Sequence, residues 1–446
     1  MNDIVSKANE KYPQCDIKTL SVILSQKQLA IPAYQRPYKW TIKNTNQLID
    51  DIVQHQKKSK YRLGTMVVHN NGNTGYLEIV DGQQRFITIL LIAKVLSDSN
   101  QFLNINVNNI ISGLKFSNAI SHKNIAKNYQ AILSRKPDIA KKKFAEFFLN
   151  QCEMVQITLN NESEAFQFFD SQNARGKDLE PHDLLKAFHL REMNDSSSDE
   201  KIQVVSQWEE IDSKDLAKFF AFYLYPIRQW SKRKSARYFS KSDVDIFKGI
   251  NLKNSPPYPY AQTLKMLESF TQYYRNSSDR VFDNQEIHFP FQLAQTMING
   301  KHFFDMVGYY KKSKDELDKY LKNNKKTKRI IDVLDNQEYK HRTGDKYVRR
   351  LFDSAVLCYW DKFGYEEIEK AIKVIFLWAY QIRLTQQSVF IESIDNHAIS
   401  GLKLFKKMYE ATYPKEITQL LISFDNNSNA NNDKEIIKLA NDFQGK

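Results

Sequence analysis

Apolar positions recur with two different periods along this chain, and the change from one to the other divides it. In the N-terminal third, Leu63 to His69 and Tyr76 to Val80 carry the apolar, β-branched pattern of strands. The stretch between them, Asn70-Asn71-Gly72-Asn73-Thr74-Gly75, has the composition of a hairpin loop. Cys152 to Leu159 alternates like a further strand. Helices intervene. Ser21 to Leu29 predicts a short one, and Leu48, Ile49, Ile52 and Val53 fall at helical spacing. An apolar helix runs from the end of the second strand through Leu96. Ile31 to Arg36 reads as extended, because proline disfavours helix in the residue before it.

From about Ile105 to Leu149 the pattern is helical and basic. Glu162 to Asp170 predicts a helix with Ala165, Phe168 and Phe169 inward, broken by the polar run Ser171 to Glu180. Pro181 then sits where a helix starts, ahead of Leu184, Leu185, Phe188 and Leu190. Ser196 to Glu200 has linker composition. Beyond it the text is almost wholly helical. Ile368, Ala371, Ile372, Ile375, Ala379 and Ile382 form one amphipathic stripe. Asp425 to Asp433 is an Asn-rich tether to a last short helix. The expected class is α+β: a small mixed sheet with helices over 1–195, a mostly α-helical domain over 200–424, and a tether with a terminal helix over 425–446.

Composition adds a partner class. The chain of 446 residues has 13% aromatic residues and a formal net charge of +13, a balance that suits a polyanion. A lysine-rich solvated surface fits the same numbers. The three cysteines, Cys15, Cys152 and Cys358, lie far apart without CxxC spacing, so a reducing compartment is expected. The longest apolar run, Phe86 to Ala93, is too short to span a bilayer. The expectation is a soluble cytoplasmic protein.

Four segments could carry chemistry. Asp81-Gly82-Gln83-Gln84-Arg85 lies where a strand gives way to a helix. Gly82 permits a tight turn, free N–H groups at the helix start favour phosphate oxygens, and Arg85 offers a bidentate fork. Asp81 could hold a divalent metal, and Gln83 and Gln84 could position water. A helix capped by Asp81, with Arg85 paired locally, fits the same spacing. The run Ile31 to Trp40 sets Tyr34, Tyr38 and Trp40 beside Arg36 and Lys39, as stacking on a base requires, and equally as an edge strand anchored in a core requires. Asn173 to Leu179 offers Arg175 and Lys177 around Gly176, either a second phosphate grip or a helix C-cap. Trp230 to Lys241 interleaves Lys232, Arg233, Lys234 and Arg237 with aromatic residues, a pattern suited to a nucleic-acid backbone. Lys311 to Arg329 is read instead as a solvated helix face. A Walker loop, a GxSxG elbow, HExxH and an HNH-type motif do not occur.

Tyr34-Gln35-Arg36-Pro37-Tyr38-Lys39-Trp40, Asp81-Gly82-Gln83-Gln84-Arg85 and Asn173-Ala174-Arg175-Gly176-Lys177-Asp178-Leu179 occur in this order, followed by Phe247-Lys248-Gly249 and Gly344 to Asp353. Together they resemble the ParB/sulfiredoxin-like N-terminal domain family of GmrSD-type (type IV, modification-dependent) restriction proteins, over most of the chain up to about residue 400. The resemblance implies hydrolysis of a nucleoside triphosphate with Mg²⁺ and a role in defence against modified phage DNA. It assigns Asp81, Gln83, Gln84 and Arg85 to the catalytic site, with Asp81 on the metal. Gln35, Arg36, Gly82, Asn173 and Arg175 would bind the nucleotide. The departure is the end of the chain, where many relatives carry an HNH nuclease and this sequence shows none. A separate nuclease or effector subunit is therefore the expected partner. A DNA-sensing module without catalysis and a metal-dependent nuclease stay open as alternatives, as does homo-oligomerisation.

Overall fold

The computed structural model describes residues 14–26, 28–32, 35, 37–72, 75–99, 107–114, 116, 119–160, 180–193, 196–253, 258–277, 291–336, 342–422 and 434–444. The fold is α+β, with a small mixed sheet near the N-terminus and a mostly helical C-terminal part. It divides into two units, Met1–Leu179 with Asn194–Ser206, and Glu180–Met193 with Gln207–Lys446.

The N-terminal unit is built on strands β1 (Gln14–Thr19), β2 (Leu29–Ala30), β3 (Tyr61–Asn71), β4 (Tyr76–Asp81) and β5 (Cys152–Leu159), in the spatial order β1-β5-β3-β4-β2. β3 pairs antiparallel with β4 and parallel with β5. β1 closes one edge antiparallel to β5, and β2 the other, parallel to β4. Alternation explains how the sheet is buried. Met66, Val68 and Ile79 point into the main core, while Val67, Val80 and Leu159 form a small second cluster. The helices of this unit are α1 (Leu20–Ser25), α2 (Ile42–Gln54), α3 (Gln83–Ser99), α4 (Val107–Gly113), α5 (Ala119–Ser134), α6 (Lys136–Ile139) and α7 (Lys142–Asn150). α3 is apolar over most of its surface and buries Phe86, Ile87, Ile89, Leu90, Ile92 and Val95, so it is largely a core helix.

Three sequence expectations change here. The helix predicted over Ser21 to Leu29 ends at Ser25, because Leu29 and Ala30 pair with β4 and Leu77 N–H donates to the Gln28 carbonyl. The strand β1 has no counterpart in the reading, since its residues are mostly exposed and polar. The Ser196 to Glu200 stretch holds the start of a helix, α9 (Ser198–Glu210), which follows α8 (Pro181–Arg191). The helix expected over Glu162 to Asp170 and the tether Asp425 to Asp433 lie outside the described residues.

The helical unit contains α8, then α10 (Ser213–Phe219), a π-helical turn Phe220–Leu224 and α11 (Tyr225–Trp230). After these come α12 (Pro259–Asn276), α13 (Lys301–Asn323), α14 (Lys325–Leu334), α15 (Thr343–Phe363), α16 (Ile368–Thr385), α17 (Ile391–Ile399), α18 (Leu404–Glu410), α19 (Lys415–Thr418) and α20 (Lys434–Gln444). The stripe read on α16 is buried, as are Phe376, Trp378 and Tyr380 beside it, so this helix is enclosed nearly all round. α15 packs along it and buries Val348, Leu351, Phe352, Ala355 and Tyr359. No described helix is long and apolar enough to cross a membrane. The three cysteines are free thiols, Cys15 exposed and the other two buried.

Candidate functional site at the β4–α3 corner

β4 ends at Asp81, opposite Val67 on β3. The chain then turns through Gly82, whose φ of 84° lies in the left-handed region where a side chain is strained. Space excludes one too, because a Cβ there would stand 2.8 Å from the Thr65 carbonyl oxygen. Asp81 Oδ1 accepts from Gly82 N–H at 2.7 Å, and Phe86 N–H donates to the Gly82 carbonyl at 2.9 Å as the first bond of α3. The N–H groups of Gln83, Gln84 and Arg85 precede that bond. Among the described residues they meet no acceptor, at the positive end of the helix dipole.

Arg85 is half-buried and folds back over β3. A Cβ added at Gly64 would meet its Nη1 at 2.3 Å and its Cζ at 3.2 Å, so the missing side chain of Gly64 makes the seat for the guanidinium. Gly64 has φ of 126°, and the pairing of β3 with β5 shifts register between Arg62 and Gly64, a bulge of the kind that re-aims neighbouring groups. Among the described residues Arg85 makes no ion pair. Burial pushes its pKa below the ordinary arginine value, and the charge of Asp81 counters only part of that.

The two glutamines divide their work. Gln84 is buried, and its Oε1 accepts from Lys39 N–H at 2.7 Å and Trp40 N–H at 3.3 Å while its Nε2 donates to the Pro37 carbonyl at 3.1 Å. It therefore clamps the 37–40 segment to the start of α3. Gln83 is also buried, yet its Oε1 has no hydrogen-bond partner among the described residues. Gln35 reaches the same corner, where its Nε2 donates to the Val80 carbonyl at 2.7 Å.

A polar network missed by the sequence reading fixes the 37–40 segment further. The fully buried Tyr38 bonds through its hydroxyl to Thr88 Oγ1 at 2.7 Å and to Asn128 Nδ2 at 3.1 Å. Asn124 Nδ2 donates to the Tyr38 carbonyl and Asn128 Nδ2 to that of Trp40. Burial raises the Tyr38 pKa, so the hydroxyl stays neutral. Tyr38 thus anchors in the core, as one of the two readings of the aromatic run had it.

Of the expected site residues, the structure brings Gln35, Asp81, Gly82, Gln83, Gln84 and Arg85 together. Arg36, Asn173 and Arg175 lie outside the described residues, as do Tyr34 and Lys177. The signal that could have found Gly64 was an isolated glycine inside an apolar strand, which marks a bulge or a close approach. Among the described residues no group of three or more His, Cys, Asp or Glu side chains could hold a metal ion.

The basic run of the helical unit is split. Lys232, Arg233 and Lys234 form an exposed turn after α11, with Arg233 at φ 59° and Lys234 N–H closing on the Gln229 carbonyl. Among the described residues these three make no ion pair. Arg237 instead faces Glu392 and Asp395. Trp230 is buried with its Nε1 on Asp395, and Phe239 stacks on Phe220, so Tyr238 alone of these rings is strongly exposed. Most of the Lys311 to Arg329 charges are paired along or between helices, including Lys311 with Asp315, Lys312 with Glu316 and Lys326 with Glu369. His182 and His189 are buried packing residues. His189 stacks on Phe303, and burial drives its pKa down to about 3.

The N-terminal unit thus sets a β-strand ending on a glycine turn beside the start of an apolar helix, with an arginine seated over the neighbouring strand. Residues 20–190 match the GmrSD restriction endonuclease N-terminal domain, and the chain carries that domain of the restriction proteins. Residues 200–436, just over half of the 446 residues, match a family of unknown function, DUF7834, and the chain belongs to it. Neither of these matches is to an HNH nuclease domain. No curated protein matches the chain.

Proposed function

We propose that this chain is the nucleotide-hydrolysing, DNA-interacting subunit of a phage-defence, modification-dependent restriction system, working in the cytoplasm with a separate nuclease or effector subunit. The observation that carries the reading is Arg85, half-buried over Gly64 beside three open helix amides and without an ion pair among the described residues. A partly desolvated cation with no carboxylate in contact among the described residues gains from an arriving anion. A triphosphate supplies that anion. The amides of Gln83 to Arg85 and the Arg85 fork hold its oxygens.

The donor set also fits Mg²⁺, which is commonly held by one or two carboxylates together with substrate phosphates. Asp81 is that carboxylate, and the ion would neutralise phosphate charge. Gln83 accepts a hydrogen bond from the attacking water through its unpartnered Oε1. Gln84 is in this reading a positioning residue rather than a reacting one, because its amide is already taken up by the 37–40 backbone. Gln35 braces the end of β4, and the family resemblance assigns Arg36, Asn173 and Arg175, which lie outside the described residues, to the nucleotide as well.

The test is a nucleoside triphosphate panel with Mg²⁺ and purified full-length protein, with and without modified DNA. Arg85→Ala is expected to lower hydrolysis by about a hundredfold or more, as loss of a preorganised charge donor does. Hydrolysis unchanged in Arg85→Ala would remove the corner from the chemistry. A DNA-sensing role without catalysis is favoured by one observation, the exposed Lys232-Arg233-Lys234 turn, which makes no ion pair among the described residues. Reversing those three charges is expected to weaken DNA binding and to flatten the log K against log salt slope by about 2 to 3. An unchanged slope assigns DNA contact to another surface.

A further inference from the structure

A cavity of about 410 Å³ opens within the helical unit. Its walls come from the π-helical turn Phe220–Leu224, the end of α14, the first turns of α15 and Tyr380 of α16. Side chains of α15 reach two carbonyls of this wide turn: Arg350 donates to Ala221 and Ser354 to Phe222. Those bonds hold Phe222 and Tyr223 in place as one wall. Tyr347 and Tyr380 supply further rings.

Charges around the cavity fall into two groups. One is closed. Arg349 is held by Asp335 at 2.7 Å and by Asp353 at 2.9 Å, and Asp345 sits between Arg342 and Arg383. The other group is two cations. Lys346 is exposed at the cavity and makes no ion pair among the described residues. Arg350 is only 9% exposed, its Nη2 donates to the Ala221 and Ala236 carbonyls, and its Nε has no acceptor among the described residues. Its guanidinium lies 5.0 Å from the Phe222 ring centre. The acid nearest in charge effect, Asp395, already accepts from Trp230, Ser235 and the Ala236 amide. Burial lowers the Arg350 pKa to about 10 despite Asp395. The N–H groups of Thr343 to Asp345 also precede the first bond of α15, from Lys346 N–H to the Arg342 carbonyl.

Two cations without an ion pair among the described residues, the rings of Phe222, Tyr223, Tyr347 and Tyr380 in the same walls, and a volume in the small-ligand range suit an occupant with an anionic group and a planar one. We propose that this cavity binds a single nucleotide, its base against Tyr223, Tyr347 and Tyr380 and its phosphate on Lys346 and Arg350. That chemistry has two sources, a free mononucleotide or a nucleotide turned out of a strand, which pays unstacking to enter such a pocket. The site is separate from the β4–α3 corner and does not rest on the function proposed for it.

The experiment is calorimetric titration of full-length protein with dAMP, dCMP and inorganic phosphate, in wild type, Arg85→Ala and Lys346→Glu. A nucleoside monophosphate is expected to bind with Kd below about 1 mM in the wild type and in Arg85→Ala. Lys346→Glu should weaken it about tenfold or more with the melting temperature unchanged, and inorganic phosphate should bind at least about tenfold more weakly. Tyr347→Leu gives the same loss through the base. A short single-stranded oligonucleotide that displaces the monophosphate names a strand as the source, and one that does not names the free nucleotide. Absence of monophosphate binding, binding indifferent to Lys346→Glu, or binding lost in Arg85→Ala overturns the proposal.

Discussion

Arg85 of the N-terminal unit and Arg349 of the helical unit are both half-buried, and burial works against the charge of each. For Arg349 the loss of water is more than offset. Asp353 and Asp335 stand at hydrogen-bond distance and raise its pKa above the ordinary value. For Arg85 it is not offset. Asp81 acts only as a neighbouring charge, the guanidinium rests over the Gly64 backbone, and its pKa stays lowered. The difference lies in which carboxylates the fold delivers. Where it delivers two, the arginine locks helices α14 and α15 together. Where it delivers none in contact among the described residues, the arginine holds a partly desolvated charge that a bound anion would relieve.

The largest effect expected from this contrast is on folding. Arg349→Ala strips a partly buried network and leaves Asp353 and Asp335 without their shared partner, which should cost the helical unit about 3 kcal/mol or more. Arg85→Ala removes an unpaired charge and should move the N-terminal transition by less than about 1 kcal/mol. Denaturant titrations of the two variants, followed by fluorescence and circular dichroism, read both. Equal destabilisation would make Arg85 a structural residue and end the contrast.

How much of this was visible in the sequence depends on how far the partners lie along the chain. β3, β4 and β5 were legible because alternation is local, and the β4–α3 corner was legible because Gly82 follows a strand and opens an apolar helix. β1 was not, because Gln14–Thr19 is polar and earns its strand only by pairing with β5. The overlong first helix failed for the same reason, since Leu29 answers to Leu77 of β4. Within the site, the residue types of Asp81 to Arg85 were readable but their division of labour was not. Gln83 and Gln84 are adjacent and identical in type. Only the fold shows that one amide binds the backbone at 37–40 and the other leaves an acceptor open. Trp230 and Phe239 looked like a stacking platform and are spent on packing, which composition alone does not register.

That division of labour gives the smaller and sharper test. If Gln84 serves the corner by clamping rather than by reacting, its loss should be felt first in stability. Gln84→Leu leaves the amides of Lys39 and Trp40 and the carbonyl of Pro37 without their partner, so a loss of about 2 kcal/mol from the N-terminal unit is expected. Gln84→Glu keeps an oxygen for the two amides and forfeits the bond to Pro37, so it should recover part of that loss. Nucleotide hydrolysis should follow the same order, with Gln84→Glu above Gln84→Leu and both above Arg85→Ala. A reacting glutamine predicts otherwise: both substitutions would be as inactive as Arg85→Ala while the N-terminal transition stayed where it is. Measuring the unfolding midpoint and the hydrolysis rate on the same three proteins separates the clamp from the catalyst, because only a clamp ties the two readouts together.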